Sequence, residues 1–339
     1  MRLLIVTQAV DERDGVLGFF SRWIVEFAKN AEKVTVICLR EGEYHLPENV
    51  KVYSLGKERG GNRAAYVARF LLRIWKLRST YDTVFVHMNP EYVILGAPLW
   101  RVLGKRIGLW YTHKQVDFKL RLATLFADKV FTASKESFRI QSNKVIVMGH
   151  GIDTHAYTLP RVPRVTDGPI RILTTGRISK TKGLHQMIKV LDTLHARGRS
   201  FTFTIAGSPA TPTDEQYAVE LRREVSERPY ASEVHFLGDV PHADIPKLLS
   251  CADVFINLSA TGSLDKAVLE AMAAQVPVVT SNEAFRSILP QGTVPADDSI
   301  AIAEAIEKAV SWDTQSLKEL VEKEHSLPAL ISRIVHSYD

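Results

Sequence analysis

Two stretches in the second half of the chain bring together side chains suited to a charged, hydroxyl-rich ligand. The first, Gly176-Arg177-Ile178-Ser179-Lys180-Thr181-Lys182-Gly183, follows an apolar run and opens a segment of helical period. A glycine turn, two or three cations and a helix start converge there, which suits a diphosphate. Unsatisfied N–H groups at a helix N-terminus favour anions, Arg chelates phosphate oxygens bidentately, and Lys supplies a point charge. The spacing fits a solvated basic loop equally well, and it is not a Walker loop, because Gly-x-x-x-x-Gly-Lys-Ser/Thr is absent. The second, Ser259-Ala-Thr-Gly262-Ser263-Leu264-Asp265-Lys266-Ala-Val-Leu-Glu270, reads as a strand end, a small polar loop and a helix. Its loop N–H groups are expected to face a ligand cleft. Glu270, one turn into the helix beside Val268 and Leu269, can accept hydrogen bonds from two vicinal hydroxyls, as the acid of dinucleotide folds does from ribose. Taken alone, Glu270 would also fit an exposed helix position and Asp265 an N-cap.

The elements that must position these residues alternate along the chain. Apolar runs at 2–7, 33–39, 83–87, 107–111, 129–133 and 144–148 predict strands, separated by segments with apolar residues at 3 and 4 spacing such as Phe20, Trp23, Ile24 and Phe27. A polar, proline-bearing stretch at 160–169 breaks the rhythm and predicts a linker. Alternation then restarts, with strands at 170–175, 201–206, 233–237, 253–258 and 277–280, and a helical tail from about 298 with breaks near Ser311 and Ser326. The expectation is two doubly wound, Rossmann-like α/β domains in series, at 1–160 and 161–325, with the ligand in the cleft between them. The C-terminal helix, about 326–339, is a candidate to pack back on the first domain.

With 339 residues, 45% hydrophobic and 24% charged, the chain has the composition of a folded protein rather than of a disordered or fibrous one. The formal charge of +5 is unevenly placed: residues 1–160 carry 24 basic against 15 acidic side chains, residues 161–339 carry 19 against 23. Arg63, Arg69, Arg73, Lys76 and Arg78, with Lys57 and Arg59 upstream, form the strongest basic cluster, opposed locally only by Glu58. In the helix expected over 63–78, Tyr66, Val67, Phe70, Leu71, Ile74 and Leu77 form one apolar stripe, and Arg69, Arg73 and Lys76 share another face. Such a face suits peripheral contact with an anionic membrane, or simply water. No aromatic platform interleaves the cations, so nucleic acid is not an expected partner. No stretch of about 18 apolar residues occurs, and the acids at Asp11, Glu12 and Asp14 make the start a first strand rather than a leader. Cys38 and Cys251, far apart in apolar runs, are expected to be buried thiols, which fits a cytoplasmic setting.

Taken together these motifs resemble the family 4 retaining glycosyltransferases, glycosyl transferases group 1. Gly-Arg-x-x-x-x-Lys-Gly precedes Leu-Glu-Ala-Met-Ala-x-x-x-Pro-Val-Val by about 90 residues, with Val-His-Phe-Leu-Gly238 and Cys-Ala-Asp253-Val-Phe-Ile between them. In the first half, Gly15 and Gly18, Tyr-Thr-His113, Ala-Asp128-Lys-Val-Phe-Thr-Ala-Ser134 and Gly149-His-Gly151-Ile-Asp153-Thr agree in order, so the resemblance covers essentially the whole chain. It implies a GT-B fold, in which the two domains face each other across a cleft.

Carried over, Arg177 and Lys182 beside Gly176 would hold the donor's diphosphate, Glu270 the ribose hydroxyls, and His235 and Phe236 would lie near the base. Gly15 and Gly18 would let amides approach the phosphates, and His113 would sit beside the transferred sugar. Asp128 and Ser134 would serve packing. The family places a glutamate eight residues before Glu270, where this chain has Gly262; Asp265 could reach the sugar or Lys266 in its stead. The resemblance implies a retaining hexosyltransferase, without a metal or cofactor, that moves a sugar from a UDP- or GDP-linked donor to a saccharide or lipid-linked acceptor in cell-surface glycan or glycolipid synthesis. A nucleotide-sugar binding protein without turnover, and a sugar-nucleotide 2-epimerase, remain the alternatives.

Overall fold

Uninterrupted runs of large aliphatic side chains, such as Leu3, Leu4, Ile5 and Val6, all fully buried, need cover on both faces, and a parallel sheet between helix layers provides it. The structure, a computed structural model, describes residues 1–113, 115–259 and 263–338. Two units result, one of Met1–Asp153 with His325–Asp339, the other of Thr154–Glu324.

The first unit contains β1 (Arg2–Val10), α1 (Phe20–Lys29), β2 (Lys33–Glu41), β3 (Val50–Ser54), α2 (Arg63–Lys76), β4 (Thr83–His87), α3 (Pro90–Val102), β5 (Arg106–Trp110), α4 (Phe118–Phe126), β6 (Lys129–Thr132) and β7 (Val145–Val147). All strands are parallel in the order β3-β2-β1-β4-β5-β6-β7. Alternation along β1 sends Leu3 and Ile5 to one face, against Phe20, Ile24 and Phe27 of α1. Leu4 and Val6 go to the other, against Phe70 and Ile74 of α2 and Trp100 of α3. Each such side chain contributes about 1.5–3 kcal/mol on burial. Strand β3 was not expected from the sequence. It is an edge strand whose five residues are half-buried or exposed, so no buried apolar run marks it.

The second unit contains β8 (Ile170–Thr175), α5 (Leu184–Ala196), β9 (Phe201–Ala206), α6 (Pro212–Ser226), β10 (Val234–Gly238), α7 (Ile245–Cys251), β11 (Val254–Asn257), α8 (Lys266–Ala273), β12 (Val278–Thr280), α9 (Ser299–Ala309) and α10 (Gln315–Glu324). Its five strands are parallel in the order β10-β9-β8-β11-β12. The proline-bearing stretch is bonded to this unit: the Val162 N–H donates to Ser250 O at 2.8 Å, and Arg161 donates to Gln275 O at 2.7 Å.

Helix α11 (Leu327–His336) returns to the first unit, with Leu330, Ile331 and Ile334 in the same core as α1. Arg333 donates to Met148 O at 2.6 Å, and the buried Tyr338 hydroxyl donates to Val84 O at 3.1 Å. Among the described residues no helix is long and apolar enough to cross a membrane.

Two expectations are corrected. Cys38 is buried in β2 and its thiol is pushed up to about 12 by burial, but Cys251 is exposed, because it ends α7 on the side away from buried Leu249 and Ser250. On α2 only Phe70 and Ile74 are fully buried, and Leu71 is 40% exposed, so it does not belong to the core stripe.

Candidate functional site

In an open parallel sheet, loops leaving neighbouring strands part where the strand order reverses, and ligands bind at the carboxyl ends there. In the second unit that point lies between β8 and β11. The loop after β8 carries Arg177 and Lys182, and the loop after β11 carries Asp265. Gly183 adopts φ 68° at the start of α5, and a Cβ there would lie 2.5 Å from Leu258 O, so only glycine lets this loop settle against the end of β11. Gly207 after β9 has φ 150°, and a Cβ there would be 2.0 Å from Gly176 O.

Lys182 Nζ donates to Asp265 Oδ2 at 2.7 Å, and Asn257 Nδ2, at the end of β11, donates to the same oxygen at 3.1 Å. Asp265 Oδ1 accepts the Ala267 N–H at 3.2 Å and caps α8. The aspartate is therefore both an N-cap and the partner of Lys182. One turn further on, Glu270 Oε1 lies 2.9 Å from His242 Nε2 and 3.7 Å from Lys266 Nζ. The Glu270 side chain is only 8% exposed, Asp265 10% and Lys182 23%, whereas Arg177 is 52% exposed, with Nε 3.9 Å from Asp214 Oδ2. Burial by itself raises both carboxyls. For Asp265 the charge and hydrogen bond of Lys182, with Asn257 and the Ala267 N–H, outweigh it and leave the group below the usual aspartate value. For Glu270 the His242 hydrogen bond and the charges of Lys266 and His242 do the same.

Ser263 and Leu264 are half-buried, and Ser263 O accepts from Asn282 Nδ2 at 2.7 Å, which ties the loop to the end of β12. Gly262 lies outside the described residues. On β10 successive side chains point to opposite faces: His235 is exposed, while Phe236 is half-buried with Arg222 Cζ 4.2 Å above its ring.

In the first unit the strand order reverses between β1 and β4. Beside that point an open pocket of about 310 Å³ is lined by Gln8, Met88, Asn89, Glu91, His113 and Lys119, among others. The His113 ring meets Tyr111 edge-on at 5.8 Å. Glu91, in the first turn of α3, accepts from Arg63 Nη2 at 2.7 Å and pairs with Lys119 of α4, and these cations hold its carboxyl below the usual range. In the loop after β1, Gly15 is exposed and Gly18 buried. The N–H groups of Val16 and Leu17 donate to Asp14 Oδ1 at 2.8 and 2.7 Å, and Gly18 N–H donates to Asp14 O at 2.9 Å, so these amides are already bonded within the loop. Asp128 accepts the Ile107 N–H at 2.8 Å, and Ser134 and Ser137 share a hydrogen bond of 2.9 Å.

The sequence reading missed His242, Asn257, Glu91 and Lys119. Asn257 had a signal, a polar residue closing an otherwise apolar strand. His242, Glu91 and Lys119 had none, since their partners lie 28 residues away in each pair. Among the described residues no three of His, Cys, Asp and Glu converge as metal ligands.

Residues 169–311 match the family model described as Glycosyl transferases group 1. A putative colanic acid biosynthesis glycosyltransferase, WcaL of Escherichia coli, is 25% identical over 254 residues, 71% of this chain and 55% of that protein. The putative glycosyltransferase YtcC of Bacillus subtilis is 34% identical over 232 residues, 60% of this chain and 56% of that protein. The chain thus spans about half the length of the curated relatives it matches. Among solved structures, Anabaena Alr3699/HepE in complex with UDP superposes with a TM-score of 0.76 at 18% identity, covering 100% of this chain and 99% of that one. Sucrose-phosphate synthase of Thermosynechococcus elongatus gives 0.74 at 17%, covering 99% and 98%. The fold is GT-B.

Proposed function

We propose, on the premise that residues 169–311 are a glycosyl transferases group 1 domain within a GT-B fold, that this chain transfers a hexose from a nucleotide sugar to a saccharide or lipid-linked acceptor in glycan synthesis. The observation that carries this reading is the meeting of Lys182, Asp265 and buried Glu270 at the carboxyl edge of one sheet, where its strand order reverses. A diphosphate needs cations and amides. A ribose needs a carboxylate held rigid and ionised, and Glu270, fixed by His242, meets that need.

Breaking the bond from the anomeric carbon to the diphosphate leaves negative charge on phosphate. Arg177, Lys182 and the start of α5 would stabilise that charge and require no metal to do so. The acceptor oxygen forms the new bond to the anomeric carbon, and its proton passes to the departing phosphate. Attack on the face from which the diphosphate leaves retains the configuration. His113 would orient a hydroxyl of the transferred sugar. UDP is favoured as the nucleotide by the UDP complex of the HepE structure and by the share of both chains that superposes.

The test is incubation with UDP- and GDP-linked hexoses and a panel of saccharide and lipid-linked acceptors. The expected result is nucleotide release coupled to a new glycoside whose anomeric configuration, read by NMR, matches the donor. Binding without turnover across the panel, or epimerised donor, would overturn the reading.

A further inference from the structure

We infer that the outer edge formed by the last turns of α2, α3 and α4 is a docking surface for an anionic lipid bilayer. The inference stands apart from the sugar-transfer reading. Strands β4, β5 and β6 are parallel, so α2, α3 and α4 each run back toward the strand starts and end along one edge of the first unit. Those endings expose apolar side chains: Leu72 at 58% and Trp75 at 50% on α2, Val102 at 85% on α3, and Leu125 at 64% on α4. On α2 they belong to a second apolar stripe. Ala64, Ala68, Leu71, Leu72 and Trp75 follow i, i+4, i+7, i+8, i+11 and face water, while Phe70 and Ile74 face the core. A helix apolar on two faces in a water-soluble layer calls for a second apolar phase.

Charge identifies that phase. The last turns carry Arg73 and Lys76 on α2 and Arg101 on α3, with Arg78 just beyond α2, and no acid stands in the last turn of any of the three helices. The acids at the same edge are engaged: Asp82 with Arg2 at 2.6 Å, and Asp128 with Arg101 at 3.8 Å and the Ile107 N–H. Lys76 and Arg78 flank the exposed stripe. Arg78 lies 4.3 Å over the Trp75 ring and donates to Trp75 O at 2.9 Å, which builds an aromatic and a cation into one anchor. Not every cation of the cluster is available. Arg69 donates to Leu55 O, Arg73 lies 4.9 Å over Tyr53, and Arg59 pairs with Glu41 as well as Glu58. The surface therefore consists of exposed apolar side chains beside Lys76 and Arg78, which face no acid within ion-pair distance among the described residues, the composition that holds a helix on a negatively charged leaflet without crossing it.

The experiment is co-sedimentation of the full chain with vesicles of phosphatidylcholine alone or with 40–50% phosphatidylglycerol, on the order of the anionic content that gives a strong surface potential. The expected result is binding only to the anionic vesicles, weakened by salt. Lys76→Gln with Arg78→Gln should weaken it about 25-fold, near fivefold per cation. Trp75→Ala with Leu72→Ala should weaken it at least about tenfold. Circular dichroism and melting serve as controls for folding. Lack of binding to anionic vesicles at low salt overturns the inference, as do equal binding to both vesicles and binding unchanged in both folded variants. A concentration-dependent dimer abolished by Trp75→Ala would instead assign the surface to a second copy of the chain and overturn it too. None of these outcomes depends on donor or acceptor, so failure here leaves the transferase reading untouched.

Discussion

The two sheet edges solve one chemical problem in different ways. Each places an acid beside a lysine where the strand order reverses: Asp265 with Lys182 in the second unit, Glu91 with Lys119 in the first. In the second unit the pair is largely buried, Asp265 has both oxygens engaged, and neighbouring Glu270 is locked by His242. In the first the pair stands in an open pocket, with Lys119 52% and Glu91 35% exposed. Burial raises the worth of a charge pair and the penalty for breaking it, whereas exposed pairs contribute about 0–1 kcal/mol. The second edge is thus preorganised for one ligand geometry, as a proposed nucleotide site should be. The first, open to water, is held less firmly.

The largest effect that would break this contrast is at Lys182. Lys182→Ala should lower sugar transfer at least about 100-fold, since a phosphate-directed charge is lost. It should also lower the melting temperature, because Asp265 is left buried without its cation, a loss of up to about 3 kcal/mol. Adding Asp265→Ala should recover much of the stability and none of the transfer. Recovery of both would mean that Lys182 acts only by holding Asp265.

Glu270→Ala should weaken nucleotide binding by about 10- to 100-fold in calorimetry, the effect of losing hydrogen bonds to a charged acceptor. The wild-type protein should discriminate against the 2′-deoxy nucleotide to a similar degree, and equal affinity for both would remove the ribose role. Glu270 also carries a pH signature. Its folded carboxyl lies below the ordinary 4.5, so the stability it adds is complete above that value and is lost as pH falls through the lower folded value. Glu270→Gln should therefore flatten the acid limb of a melting-temperature profile, and an unchanged limb would contradict the buried, ionised state.

In the open pocket, His113→Ala should lower kcat by about tenfold, the order of one hydrogen bond, with nucleotide affinity unchanged. A change confined to nucleotide affinity would move the histidine away from the sugar. The smallest effect is expected at Glu91→Gln, a stability change below about 1 kcal/mol. A larger drop in melting temperature would show that the first edge is as rigid as the second.

Most of the architecture was legible because its signals are local. Buried strands announce themselves as apolar runs, and Gly176, Gly183, Arg177 and Lys182 sit together within eight residues. The edge strand β3 escaped because its half-exposed residues carry no such run. The single apolar stripe expected on α2 became two, since spacing alone does not say which face meets the sheet. The opposition to the basic cluster was also wider than Glu58, as Glu41 and Glu91 reach it from other elements.

By itself the sequence determined the alternation of strands and helices, the uneven charge, and the residue types present at each strand end, all of which follow from period and composition over short windows. Only the tertiary structure decided which of those residues meet. Lys182 and Asp265 are 83 residues apart, and His242 and Glu270 are 28 apart on separate elements. The return of α11 to the first unit likewise joins Tyr338 to Val84 over 254 residues. Long-range pairs depend on strand order and loop path, and burial, which sets the strength of each charge, exists only once the chain has closed around it.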